Sequence, residues 1–254
     1  MQGACFKRML SGAVRTLARH IRLRRCSESL FNLNFAKQIA RSAVMWFRLA
    51  TWNSAPALIA HCLTISPMSR LILASASPRR AELLRNAGIA FEADPANIHE
   101  EPLAGEKPID YAKRLARDKA RVAAVRHPGD VVLAADTVVV VDDHLLEKPA
   151  DASDAFRMLR LLSGRTHQVI TGVCLLATGF ERTEAEATQV TFVPMSDEEI
   201  ENYVASGEPM DKAGAYGIQG IASRWVERVE GDYFNVVGLP VARVYRMLKA
   251  SPHL

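Results

Sequence analysis

The chain has 254 residues, of which 49% are hydrophobic, and this is enough for a sizeable core in one large domain or two. Its formal net charge of +4 is uneven, because residues 1–67 hold ten Lys or Arg and a single acid, whereas the remainder holds 22 basic and 27 acidic residues. The basic composition of the whole chain therefore gives no reason to expect nucleic-acid binding by residues 68–254, whose net charge is −5.

The first 67 residues form a basic leader with amphipathic character over residues 14–22. The leader has no apolar run long enough to span a membrane, so we expect no membrane anchor. Its Arg-rich, acid-poor composition is typical of an organelle transit peptide. Alternatively, translation begins at Met68 and the leader is not part of the native product, which the lack of a cleavage signature favours. In both cases we expect a disordered or loosely helical leader and a folded domain over residues 68–254.

The cysteine content indicates a reducing compartment. Cys5, Cys26 and Cys62 lie in the leader, Cys174 lies in a predicted strand, and no C-x-x-C pair occurs. We therefore expect a cytoplasmic protein, with organelle targeting by the leader as the minor alternative.

The domain opens with a short apolar strand over residues 71–74 and a helix for which Ser77 is a suitable N-cap. Arg79 and Arg80 then lie in a first turn where backbone N–H groups already make the potential positive. With the hydroxyls of Ser75 and Ser77, the two guanidiniums supply convergent donors for a phosphate. The alternative is that both arginines extend into water or pair with nearby acids.

The next two segments carry further charged candidates. Residues 91–95 are predicted to be extended, and the loop at residues 97–102 contains Glu100 and Glu101. Paired carboxylates in a loop are usually solvated, but their position after a phosphate site favours metal binding by one of them. The helix predicted over residues 108–125 carries Lys119 on its apolar face. This lysine either reaches the rim of the core or projects into a cleft to meet anionic charge.

Residues 131–141 are the most apolar segment and predict a central strand that is buried on both faces. Asp136 interrupts this strand, and an ionised carboxylate there requires a cation, strong donors or a proton. Capping by backbone N–H groups would satisfy it, but strand ends in α/β sheets favour a metal or catalytic role. The hairpin turn at residues 142–144 brings Lys148 back beside Asp136, where it forms an ion pair or holds a phosphate.

The remaining elements are predicted from apolar periodicity and turn residues. We expect His167 to be an ordinary residue at the start of a strand. The glycine-rich segment at residues 208–220 allows close backbone approach to a ligand, and Gln219 offers an amide toward a base edge. The predicted elements are a helix at 151–162, strands at 168–177 and 184–194, a capped helix at 196–207, a hairpin at 224–237 and a helix at 239–249.

Five segments resemble, in order, the Maf family of nucleoside triphosphate pyrophosphatases, and the likeness extends over residues 68–250. The resemblance implies an α/β fold with a mixed twisted sheet, flanking helices and two lobes around a deep cleft, similar to inosine triphosphate pyrophosphatase. It also implies hydrolysis of a nucleoside triphosphate to the monophosphate and pyrophosphate, a divalent metal cofactor (Mg or Mn) and a homodimer. Gly-Ala-Tyr-Gly-Ile-Gln-Gly resembles the branch that acts on dTTP and UTP. The five segments are residues 75–84, 135–139, 147–149, 163–167 and 211–220.

The resemblance also implies roles for individual residues. By position, Asp136 corresponds to the general base, and Glu100 and Asp136 correspond to the acids near the metal. The family commonly has an acid where this chain has His99, and we align Glu100 with the metal-proximal acid. Lys119 and Lys148 correspond to the lysines that contact phosphate. The substrate-binding candidates are Ser75, Ser77, Arg79, Arg80, Thr137, Lys212 and Gln219, among which Arg79, Thr137 and Gln219 match positions tied to substrate choice.

Two alternatives remain open at this point. One is a nucleotide-binding regulator of cell division that does not turn over its ligand, and the other is the same hydrolysis acting on 7-methyl-GTP. The presence of both carboxylates and both lysines favours an enzyme. The expected partner is a nucleoside triphosphate, with no nucleic acid and no membrane.

Overall fold

The computed structural model describes residues 69–142 and 144–253, so the basic leader and Met68 lie outside the described residues. Within these two ranges, seven strands form one mixed sheet with helices on both faces. The predicted mixed α/β architecture is confirmed, and the division into two lobes stays a prediction.

The helices and strands follow the chain in an order close to that predicted. They are β1 (Leu71–Leu73), α1 (Pro78–Asn86), β2 (Glu92–Ala93), α2 (Pro108–Arg126), β3 (Val131–Val141), β4 (His144–Leu146), α3 (Ala152–Leu162), β5 (Thr166–Ala177), β6 (Phe180–Phe192), α4 (Asp197–Ala205), β7 (Val226–Glu230), α5 (Tyr233–Val237) and α6 (Val241–Ala250). Short 3₁₀ helices lie at Glu208–Asp211, Ala213–Ala215 and Ile221–Trp225.

The sheet has the strand order β2-β1-β3-β5-β6-β7, and β4 pairs with the far end of β3. β1 runs parallel to β2 and β3, whereas the other pairs are antiparallel. β1 pairs with β3 as far as Leu133, and β4 begins to pair at Val139. Between these two positions the edge of β3 lacks a described strand partner, which leaves room for a cavity beside Asp136 and Thr137.

The two faces of β3 pack against different helices because successive side chains of a strand point to opposite faces. Val132 and Ala134 pack on one face against α2, whose buried contact residues there are alanines. Leu133 and Ala135 belong to the larger cluster on the other face. By this alternation Asp136 lies on the α2 face and Thr137 lies on the opposite face.

α2 approaches the sheet closely at Gly172 of β5, which is the register partner of Asp136. A Cβ atom at Gly172 would lie 2.2 Å from the carbonyl oxygen of Ala112. We expect Gly172→Ala to lower the free energy of unfolding by about 3 kcal/mol because the helix must move away from the sheet. Chemical denaturation measures this change.

Gly105→Ala is the control for this substitution. Gly105 has a positive φ of 74°, but a Cβ atom added there would meet nothing within 4 Å, so we expect a loss of only about 1 kcal/mol. Equal losses for the two variants would contradict close packing of α2 on β5.

A hairpin was predicted at residues 224–237, and the prediction of its second strand is wrong. β7 supplies its first strand, but the residues from Tyr233 onward form helix α5. The Asp232 carboxylate accepts hydrogen bonds from the backbone N–H groups of Phe234 and Asn235 and so caps this helix. The cap outweighs the β-propensity of the aromatic and β-branched residues that follow it.

The bounds of strand β6, which precedes β7, also differ from those predicted. β6 begins at Phe180 rather than residue 184, since it pairs with β5 from Ala177↔Phe180 onward.

Among the described helices, none combines the length and apolar character that crossing a bilayer requires.

Candidate active site

A cavity of about 480 Å³ opens beside the unpaired edge of β3. Its walls come from the β1–α1 junction, α2, β3, the segment after β4 and the glycine-rich segment. The structure brings together all eleven predicted site residues in the lining of this cavity: Ser75, Ser77, Arg79, Arg80, Glu100, Lys119, Asp136, Thr137, Lys148, Lys212 and Gln219.

Lys119 joins two carboxylates at the base of the cavity. Its Nζ lies 2.6 Å from Asp136 Oδ1 and 2.7 Å from Glu100 Oε1. The side chains of Lys119 and Asp136 are only 11% and 10% exposed. The lysine therefore projects toward anionic charge, and its ammonium compensates the buried carboxylate of β3.

Glu100 is the acid of its loop that turns into the site. His99 and Glu101 stay exposed and lie 3.4 Å from each other, whereas Glu100 reaches the ammonium of Lys119. Lys148 and Asp136 both line the cavity but form no ion pair, because Lys119 pairs with Asp136. The other alternative, that Lys148 holds a phosphate, stays a prediction.

Arg80 is partly buried on the other side of β3 and donates four hydrogen bonds within the protein. It donates to the carbonyl oxygens of Ala135 at 2.7 Å and Gly238 at 2.8 Å, and to the hydroxyls of Thr137 at 2.9 Å and Ser75 at 3.2 Å. Burial lowers the pKa of Arg80 from its usual value, and the charge of Asp136 opposes this shift. Arg80 thus fills the unpaired edge of β3 and orients two hydroxyls, so the alternative that both arginines extend into water or pair with nearby acids does not describe Arg80.

The two serines of the β1–α1 junction shape the start of α1. Ser77 is the N-cap, and its hydroxyl accepts from the backbone N–H of Arg80 at 3.5 Å. The Ser75 hydroxyl accepts from the backbone N–H of Ser77 at 3.2 Å. Pro78 has no N–H group, and the N–H groups of Arg80 and Ala81 both donate to Ser77, so the Arg79 N–H of this first turn is left to donate to an anion.

Arg79 spans from α1 to the glycine-rich segment. Its Nη1 donates to Asp211 Oδ2 at 2.8 Å, and Lys212 Nζ donates to Asp211 Oδ1 at 2.7 Å. Burial alone would raise the pKa of Asp211, but the hydrogen bonds from Lys212 and Arg79 outweigh it and lower the pKa to about 2. The partner of Arg79 is therefore an acid 132 residues away rather than a nearby one.

Tyr111 and Glu147 are candidate functional residues that the sequence analysis missed. The Tyr111 hydroxyl donates to Glu147 Oε1 at 2.5 Å, and Glu147 lines the cavity. Burial, the bond to Glu147 and the charges of Asp136 and Glu100 raise the pKa of Tyr111. In the sequence, Tyr111 belongs to an apolar stripe and therefore predicts only a core residue. Glu147 could have been identified as a site candidate, because it lies next to Lys148.

His167, the second residue of β5, is buried, and its Nε2 lies 2.8 Å from the hydroxyl of Tyr216, which lines the cavity. Burial lowers the pKa of His167 from 6.5 to about 4. Between these pH values the unfolded chain binds more protons than the folded chain, so stability falls as the pH falls from 6.5 to 4, by up to about 3 kcal/mol from this group.

We expect the difference in unfolding free energy between wild type and His167→Gln to change over this range, and a constant difference would contradict a buried neutral imidazole.

The donor set at the base of the cavity fits a hard divalent cation. Asp136 and Glu100 contact one ammonium, so their carboxylates lie close enough to face a shared ion, and oxygen donors suit Mg or Mn. In residues 69–142 and 144–253, no group of three or more His, Cys, Asp or Glu is arranged around one point. Magnesium commonly takes one or two carboxylates and completes its shell with water and substrate phosphates.

A family model described as Maf-like protein matches residues 70–251. The chain is 63% identical over 181 residues to the dTTP/UTP pyrophosphatase of Koribacter versatilis (strain Ellin345), covering 71% of this chain and 94% of that protein. It is 52% identical to the dTTP/UTP pyrophosphatases of Symbiobacterium thermophilum and Geobacter metallireducens, covering 71% of this chain in both cases and 93% and 95% of those proteins. A solved structure of a Vibrio cholerae protein has 13% identity and a TM-score of 0.33, covering 56% of this chain and 79% of that chain, and is too distant to add to the assignment. Because the family model spans most of the chain and these relatives are more than half identical to it over nearly their full length, the chain belongs to the Maf-like protein family.

Proposed function

We propose that this chain is a nucleoside triphosphate pyrophosphatase that hydrolyses dTTP and UTP to the monophosphate and pyrophosphate. The observation that carries the proposal is the buried Asp136–Lys119 pair, which Glu100 joins and which lies in one cavity with the N-terminus of α1. The names and coverage of the relatives support this activity and the choice of nucleotide.

The phosphates bind where cationic groups and helix N–H groups converge. The first turn of α1 supplies the Arg79 N–H and the positive end of the helix dipole, and the side chains of Arg79 and Lys148, which both line the cavity, supply positive charge. Arg79 exchanges its bond to Asp211 for a phosphate oxygen when substrate enters. These contacts hold the triphosphate with its α-phosphorus toward Asp136, which is a positioning contribution to the rate.

Asp136 is the general base of the reaction. Its carboxylate takes a proton from water as the water oxygen bonds to the α-phosphorus, and the bond from that phosphorus to the bridging oxygen breaks. Pyrophosphate leaves with the electron pair of that bond. Lys119 compensates the charge of the buried carboxylate before the proton arrives and offsets charge on the phosphate oxygens.

A divalent cation is the proposed cofactor, and Asp136 and Glu100 are the residues that would hold it. When bound, such an ion neutralises charge on the phosphate oxygens and favours attack at phosphorus. The active protein is proposed to reside in the reducing cytoplasm, and a homodimer stays a prediction.

Gln219 and Thr137 are the proposed determinants of nucleotide choice. The amide of Gln219 offers both a donor and an acceptor, which suits the polar edge of a pyrimidine base. The Thr137 hydroxyl is held by Arg80 and lies 2.9 Å from Thr171 Oγ1, so its direction is set before substrate binds.

Incubation of the purified full chain with a panel of nucleotides and magnesium tests the proposal. We expect kcat/KM for dTTP and UTP to exceed that for ATP, GTP and 7-methyl-GTP by about tenfold or more, because a misplaced base leaves polar groups unpaired. Pyrophosphate should accumulate from the first turnovers. Binding of dTTP without any product would favour the regulator, and preference for 7-methyl-GTP would contradict the proposed branch.

A further inference from the structure

We propose that Tyr203 and Glu208 form a positioning pair that holds residues 217–221 in place and thereby sets the base selectivity of Gln219. The inference rests on the proposed function and adds two residues to it. Neither residue contacts Asp136, and the role of the pair is to keep one short segment in a single conformation.

The pair holds both ends of the segment. The backbone N–H of Gly217 donates to the Tyr203 hydroxyl oxygen at 3.2 Å, and that hydroxyl donates to Glu208 Oε1 at 2.9 Å. The backbone N–H of Ile221 donates to Glu208 Oε2 at 3.2 Å. Gln219 lies midway, two residues from each attachment point.

The segment also lies directly against the carboxylate of Glu208. A Cβ atom at Gly220 would be 2.2 Å from Glu208 Oε1, and one at Gly217 would be 3.4 Å from the same oxygen. The Gly220 N–H further donates to the Gly217 carbonyl at 3.0 Å, which closes a turn around Gln219. A side chain at position 220 would displace the carboxylate, so the attachment of this segment to Glu208 depends on glycine there.

Burial of Tyr203 makes its contacts persistent, and Glu208 beside it is half-buried. Tyr203 is 1% exposed, and its burial raises the pKa of the phenol, so the hydroxyl keeps its proton as a donor to Glu208. Loss of Glu208 leaves the buried Tyr203 hydroxyl without its acceptor and releases the Ile221 end of the segment. A displaced Gln219 amide would then no longer match the base edge, while the phosphate-binding side of the cavity stays intact.

Glu208→Ala and Glu208→Gln provide the matched comparison. Alanine removes the attachment of Ile221 and the acceptor that fixes the Tyr203 hydroxyl, whereas the glutamine carbonyl can still accept from the Ile221 N–H while its amide donates to the Tyr203 hydroxyl. Affinities of the full chain for the α,β-methylene analogues of dTTP and dGTP, measured by calorimetry, give a selectivity ratio that does not depend on turnover. Pyrophosphate release from dTTP is measured separately.

We expect Glu208→Ala to reduce the dTTP:dGTP affinity ratio about tenfold, while Glu208→Gln stays within about twofold of wild type. An unchanged ratio in the alanine variant, equal losses in both variants or a wild type that does not discriminate would overturn the inference. Where Glu208→Ala does not fold, Tyr203→Phe decides by the same ratio, since it keeps the ring and removes only the hydroxyl. Retained selectivity without pyrophosphate release would overturn the proposed function and leave the positioning role supported.

Discussion

Replacing Asp136 with asparagine is expected to lower kcat for dTTP hydrolysis about a thousandfold while dTTP binding stays measurable. Asparagine has the same shape but cannot take a proton from the attacking water. The residue lies within the long strand β3 and packs beside α2, so the change removes charge without opening a cavity. Single-turnover kinetics together with a binding measurement separates the loss of chemistry from the loss of affinity.

Asp142→Asn is the matched control for this substitution. Asp142 follows the end of the same strand, is exposed and pairs with Arg165 at the surface. We expect its kcat to equal that of the wild type because surface ion pairs contribute little. Wild-type turnover by Asp136→Asn, or a loss of binding as large as the loss of kcat, would contradict the role of Asp136 as base.

Lys119→Met carries the second large expected effect. The substitution keeps an unbranched side chain but leaves the carboxylates of Asp136 and Glu100 without the ammonium they share. We expect kcat/KM to fall about a hundredfold as the charge compensation is lost. The free energy of unfolding should fall by about 3 kcal/mol, since breaking a buried ion pair leaves an uncompensated charge.

A double-mutant cycle tests the physical reason for this loss. Adding Asp136→Asn to Lys119→Met removes the uncompensated charge, so the double variant should be more stable than Lys119→Met alone. Arg121→Met on the same helix is the control, because its ion pair with Glu181 is exposed and is worth about 1 kcal/mol or less. Additive losses in the cycle would show that Lys119 does not act through Asp136.

Much of the local structure was predictable because it depends on neighbouring residues. The apolar run of β3 exceeds any other in the chain, and Ser77 and Ser196 begin helices through contacts made within three residues. Asp136 was identifiable as a site candidate from the same apolar run, since the charge of a single acid within such a run requires a compensating partner.

The partners that complete the site were less predictable because they come from distant parts of the chain. Arg79 pairs with Asp211 and Tyr111 with Glu147 only once the sheet has brought their elements together. A pattern in sequence shows the face on which a residue lies but not which charge it meets there. The error after β7 has a different cause, since the side-chain cap supplied by Asp232 competed with strand propensity over only five residues.

Hydrolysis of dTTP in water enriched with oxygen-18 tests the central claim most directly. Attack of water on the α-phosphorus places the label in dTMP and leaves pyrophosphate unlabelled, and mass spectrometry of the two products distinguishes them. We predict one labelled oxygen per dTMP from a single turnover. Label in pyrophosphate, or release of orthophosphate and dTDP, would contradict the proposed attack of an Asp136-activated water at the α-phosphorus.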